Sequence, residues 1–122
     1  MKKIVFVSEK SPHKLHTLIA SLNMDGALVF DDGEICSPAG GDGDREVNRY
    51  LMVRAEYKSR VLNWLGRAFN GISGTCGEAA DVRLFYTLER MAKSGHWKAL
   101  DEVERWLMDR DVPFTKQRSV IK

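Results

Sequence analysis

Long apolar runs are missing from this chain. The longest, such as Ile4 to Val7, are four residues, far short of the roughly 20 needed to span a bilayer as a helix. A membrane-spanning helix is therefore not expected. The first residues include lysines but neither an extended apolar stretch nor a small-residue cleavage pattern, so no export signal is read. Cysteine is scarce as well. Cys36 and Cys76 stand in no paired spacing, which suits a reduced cytoplasm better than a disulfide scaffold. There is no internal repeat, low-complexity tract or linker, and 122 residues suffice for one domain with a real core.

What is present argues for a folded protein. Hydrophobic residues make up 43% of the chain and three are tryptophan, a composition unlike that of disordered segments. The net charge of +2 hides a division. Seven acids and one base fall between Asp25 and Glu46, so that segment carries −6 and the remainder +8. An acidic loop region and a basic region are expected, read first as solvated faces and second as a metal-collecting loop or a partner surface.

The stretch Asp44 to Asn70 dominates the helical pattern. Val47, Tyr50, Leu51, Val61, Leu62 and Leu65 fall in one wide apolar sector, while Arg45, Arg49, Arg60 and Arg67 follow one edge. That periodicity predicts a long central helix with a basic strip in water. Arg54 and Lys58 fall inside the apolar sector and must snorkel or meet acids. Before it, Lys2 to Ser8 reads as a buried strand. Ser11-Pro12 reads as a helix start, with Leu15, Leu18, Ile19 and Leu22 as the core stripe. Ala27 to Phe30 is a second strand, Asp32-Gly33 a hairpin turn, and Glu34 to Ser37 a short third strand. Later helices are expected at Glu78 to Ser94, stopped by Gly95, and at Trp97 to Asp109. The tail from Phe114 has strand-like composition and could form an edge or hang loose. The expected fold is α/β or α+β, with three or four strands and four helices.

Chemistry-bearing motifs are few. VFVSEKS at the N-terminus and GGDGDRE before the long helix together resemble the Toprim domain of primases and type IA topoisomerases, over the first part of the chain only. The resemblance implies a glutamate in acid–base chemistry, Glu9, and two aspartates, Asp42 and Asp44, holding Mg²⁺ beside phosphate, with Arg45 close by. Clustered hard oxygens suit that ion, and a helix N-terminus attracts anions. A helix N-terminus lowers a thiol's pKa, so Cys76, at a predicted helix start, could be reactive, but no histidine adjoins it in sequence and it is read first as a half-buried cysteine in a plain connector. His13 and His16 lie three apart without a third ligand and are read as solvated or edge-packed. The last two helices resemble a helix-turn-helix, but Asp101, Glu102, Glu104 and Asp109 would repel DNA.

With no complete catalytic set, the chain reads as a binding protein. The expectation is a small cytoplasmic modulator of a macromolecular partner, similar in size to the accessory and inhibitor proteins of phages and mobile elements. Arg45, Arg49, Arg60 and Arg67 are its predicted partner-binding residues. A protein is the first choice of partner and a nucleic-acid backbone the second; no cofactor is needed. The competing expectation is a Mg²⁺-dependent phosphoryl-transfer or nucleic-acid enzyme using Glu9, Asp42 and Asp44.

Overall fold

The computed structural model describes residues 3–36, 45–68 and 78–121, with side chains at all of these except 66–68, 78–81 and 120–121. Four strands come first: β1 (Lys3–Ser11), β2 (Lys14–Leu22), β3 (Leu28–Cys36) and β4 (Arg45–Val53). A 3₁₀ turn (Ala55–Tyr57) leads into helices α1 (Lys58–Ala68), α2 (Glu78–Lys93) and α3 (Leu100–Asp109), and strand β5 (Thr115–Ile121) closes the chain. The strands form one antiparallel sheet in the order β1-β2-β3-β4-β5. The class is thus α+β, with five strands and three α-helices rather than three or four strands and four helices.

Strand β4 is the largest correction. The expected central helix is interrupted: Arg45 to Val53 is strand, Arg54 is extended at φ −60° and ψ 152°, and α1 begins only at Lys58. In REVNRYLMV the apolar spacing satisfies two periods at once. Val47 and Leu51 are one helical turn apart, but they also alternate with Val53 on one face of a strand. Pairing with β3 on one side and β5 on the other decides it. The same ambiguity governs Leu15, Leu18, Ile19 and Leu22, which form strand β2 instead of a helix. Ser11-Pro12 opens a hairpin turn, with Ser11 paired to Lys14 and its hydroxyl donating to the Lys14 carbonyl at 3.2 Å. A proline just after the first turn residue is as well placed there as at a helix start.

Asp32-Gly33 is not a turn but the middle of β3, opposite Thr17 and Leu18 on β2. The true β2–β3 connection is Asn23 to Ala27. There the Asn23 carboxamide accepts from the backbone N–H groups of Asp25 and Ala27, both at 2.9 Å, and Gly26 supplies a φ of 78°. The expected strand at the N-terminus, the helix from Glu78 and the edge strand from the tail are present, while the last helix begins at Leu100 rather than Trp97, which lies outside it. Gly95 stops α2 as expected. Its φ is 79°, and the His96 N–H reaches back to the Met91 carbonyl at 3.0 Å, a Schellman ending.

All three helices lie on one side of the sheet. Ile4, Val7, Leu18, Ala20, Leu28, Phe30, Leu51 and Val53 point to that side and are buried in one cluster with Val61, Leu65, Leu84, Leu88, Val103 and Leu107. A bulge between Val5 and Val7 in β1 turns Phe6 toward the same core. Trp97 joins the layers, its ring 5.7 Å from Phe6, 5.6 Å from Phe30 and 5.5 Å from Trp106. It holds a φ of 55°, uncommon for a residue with a side chain. Packing of the indole on three sides offsets that strain. No helix among the described residues is long and apolar enough to cross a membrane.

Candidate binding face

Sheet geometry sends alternate side chains to opposite faces, and the two faces here have different electrostatics. On the helix side Asp32 is 3% exposed. Arg49 on the adjacent strand donates to its Oδ2 at 2.7 Å, and His16 Nε2 lies 2.8 Å from its Oδ1. An ionised carboxylate only accepts, so that imidazole nitrogen carries a hydrogen. Arg49 also reaches Asp101 at the start of α3, at 3.5 Å. Lys14 meets Glu34 at 2.9 Å and Lys116 meets Glu104 at 2.7 Å. The Lys14 ammonium, hydrogen-bonded to Glu34, holds that carboxyl below its usual range. Between α3 and strands β4 and β5 a cleft of about 270 Å³ is lined by Arg49, Leu100, Asp101, Glu104, Lys116 and Arg118. Its acids and bases largely neutralise one another.

The other face is covered by none of the described helices. Reading across the strands, one row holds Val5, Ile19, Asp31, Tyr50 and Gln117, and the next holds Lys3, Ser21, Val29, Met52 and Thr115. Beyond them lie Thr17, Gly33 and Asn48, then Leu15, Ile35 and Glu46. An antiparallel sheet with one wet face usually turns polar residues outward. Here Leu15, Ile19, Val29, Ile35, Tyr50 and Met52 are only half-buried, and Val5 is 52% exposed. Gly33 sits where space is tight. A Cβ there would come within 3.1 Å of both the Thr17 hydroxyl and the Asn48 carboxamide oxygen, which close over the backbone.

Asp31 sits in the middle of that face with one carboxylate oxygen, Oδ1, buried and without a hydrogen-bond partner. Burial raises its pKa, and the negative charge of Asp32 next to it raises it further; Lys3 opposes the shift. Tyr50, its direct partner across the β3–β4 pair, is likewise pushed up, by burial and then by the charges of Asp31 and Glu46. Glu46 accepts from the Asn48 side chain at 3.0 Å. Among the described residues, no cation forms an ion pair with Asp31 or Glu46, in contrast to Asp32, Glu34, Asp101 and Glu104.

The residues singled out from the sequence are dispersed. Arg45 and Arg49 belong to β4, and Arg60 and Arg67 to α1, so the four do not share one helix edge. Arg49 is tied to Asp32, and Arg60 lies over the Tyr57 ring at 5.2 Å. The Arg67 side chain lies outside the described residues. Arg54 is exposed beside Glu56, at 3.9 Å, rather than inside an apolar sector. Glu9 is exposed on β1, opposite His16. Asp42, Asp44 and Cys76 lie outside the described residues. No group of three His, Cys, Asp or Glu side chains converges as a metal site among the described residues. The sequence does not single out Asp31 and Tyr50 as site residues, because it reads one as part of an acidic hairpin and the other as part of a helix core. The signal that exposes them is the two-residue alternation of LVFDDGEIC and REVNRYLMV.

Comparison of the chain with protein-family models, with curated proteins and with solved structures returns no match.

Proposed function

We propose that this chain is a small cytoplasmic binding protein that docks a protein partner on the uncovered face of its sheet and thereby modulates it. The observation that carries this reading is the half-exposed apolar set on that face, centred on Ile19, Val29, Tyr50 and Met52. An extended apolar surface interrupted by a few polar groups is the ordinary composition of a protein interface. A nucleic-acid backbone fits the same face poorly. Its described cations are Lys3 and Lys10, on the edge strand β1, while its centre carries the carboxylates Asp31 and Glu46. Phosphate would be repelled there.

The test is affinity capture from native lysate with the wild type, with an Ile19→Lys/Met52→Lys variant and with Arg60→Glu. The captured protein should disappear with the face variant, persist with Arg60→Glu, and be indifferent to Mg²⁺ chelation. Thermal melting of each variant separates lost binding from lost folding. Capture that survives the face variant, or that depends on Mg²⁺ and on Asp42 and Asp44, overturns this function.

A further inference from the structure

The uncovered face has a chemical preference that its apolar residues alone do not set. Asp31 is the direct cross-strand partner of Tyr50, and side chains so paired stand about 5 Å apart at Cβ. Ile19 flanks the carboxylate on the β2 side, and Val29 and Gly33 neighbour it along β3. The result is a carboxylate with one buried, unpartnered oxygen, an aromatic ring beside it and apolar side chains around it. Glu46, two residues beyond Asn48 on the same face of β4, adds to the negative field. A carboxylate in such surroundings costs free energy until it is paired, and among the described residues Asp32 and Glu34 on the helix side each meet a cation while Asp31 meets none.

We propose that the partner segment docking on this face presents an arginine, whose guanidinium pairs with Asp31 and stacks against the Tyr50 ring. The proposal rests on the docking face described above and names what occupies its centre. Guanidinium suits the place better than ammonium. It is planar and weakly hydrated, it can donate to a carboxylate while lying on an aromatic ring, and it gives up less on leaving water. Pairing would also reverse the electrostatic penalty that burial and Asp32 impose on Asp31. A second copy of the chain is a poorer occupant, because the same face offers no arginine among its described residues and only Lys3 and Lys10 at its margin.

The experiment titrates the isotope-labelled full chain with N-acetyl-arginine N-methylamide, using the lysine and norleucine analogues as comparators, and follows backbone amide shifts. In parallel, a random peptide library is selected on the wild type. The expected result is saturable shifts confined to β3 and β4 around Asp31 and Tyr50, strongest for arginine. Asp31→Asn should weaken binding by about tenfold or more, and Asp109→Asn should leave it unchanged. Selected peptides should be rich in arginine and lose binding to both Asp31→Asn and Ile19→Lys. Absence of saturable shifts, or shifts indifferent to Asp31→Asn, overturns the proposal. Peptides that need Ile19 but lack arginine and tolerate Asp31→Asn overturn the arginine while sparing the docking face. Peptides that tolerate both substitutions overturn both readings. Sedimentation showing a dimer that Asp31→Asn dissociates also overturns it, since the occupant is then a second copy.

Discussion

Asp31 and Asp32 are neighbours in sequence and opposites in circumstance. Asp32 faces the helices, is buried, and is held by Arg49 and His16 at 2.7 and 2.8 Å. Asp31 faces the uncovered side, with one oxygen, Oδ1, hidden from water and without a hydrogen-bond partner among the described residues. One peptide unit thus separates a buried ion network from a carboxylate whose Oδ1 finds no hydrogen-bond partner among the described residues. The wider comparison between faces has the same form. On the helix side, the apolar residues of the central strands are buried, and Asp32, Glu34, Asp101 and Glu104 each meet a cation. On the other side, apolar residues are half-buried and, among the described residues, no cation forms an ion pair with Asp31 or Glu46. The first pattern belongs to folding, and the second is the one on which the proposed docking rests.

Adjacent residues allow this contrast to be tested pair by pair. Leu18 is fully buried and Ile19 beside it is half-buried on the opposite face. Leu18→Ala should cost about 3 kcal/mol and Ile19→Ala about 1 kcal/mol, read as shifts of the urea midpoint at unchanged slope. Equal losses would mean that the two faces are not distinct. Next in size, Asp32→Ala should cost about 2–3 kcal/mol, because Arg49 and His16 lose a buried counter-charge. The loss falls at the low end for a broken buried pair, since the Arg49 side chain is 43% exposed and can be hydrated.

Smaller effects carry opposite signs on the two faces. Asp31 has its folded-state pKa raised by burial and by Asp32. Its neutral form is therefore favoured by folding, and the stability linked to it is present in acid and lost as pH rises through the folded value. Asp31→Asn should make the protein slightly more stable at neutral pH, with no gain below the ordinary aspartate range. Glu34 has its folded-state pKa lowered by Lys14. Its contribution is present above the ordinary glutamate value and is lost as pH falls through the lowered one. Glu34→Gln should thus cause a small loss near neutrality, of the size usual for a surface ion pair, which vanishes in acid. Denaturation series from pH 2 to 7 on the two variants read both signs.

Much of the fold was legible in the sequence, and the failures have a common cause. The N-terminal strand expected over Lys2 to Ser8, α2 ending at Gly95, α3 with Leu100, Val103 and Leu107 inward, and the final edge strand all depend on local signals. Strands β2 and β4 do not. Leu15, Leu18, Ile19 and Leu22 fit a helical stripe as well as an alternating strand, and only pairing between distant segments decides. Asp32-Gly33 has the composition of a turn, yet the glycine serves the close approach of Thr17 and Asn48. Because Asp31 and Tyr50 come together only when β3 and β4 pair, the candidate site was hidden by the same mistake. Arg49 showed as a basic residue, but its partner Asp32 could not be found from one segment alone.

The most direct test is solvent paramagnetic relaxation of the methyl groups in the free protein, using a neutral soluble gadolinium agent. Leu15, Ile19, Val29 and Ile35 should be strongly broadened, while Leu18, Leu28, Leu51 and Val53 are spared. Uniform protection of both sets, or broadening of both, would contradict a sheet with one face packed and the other held open.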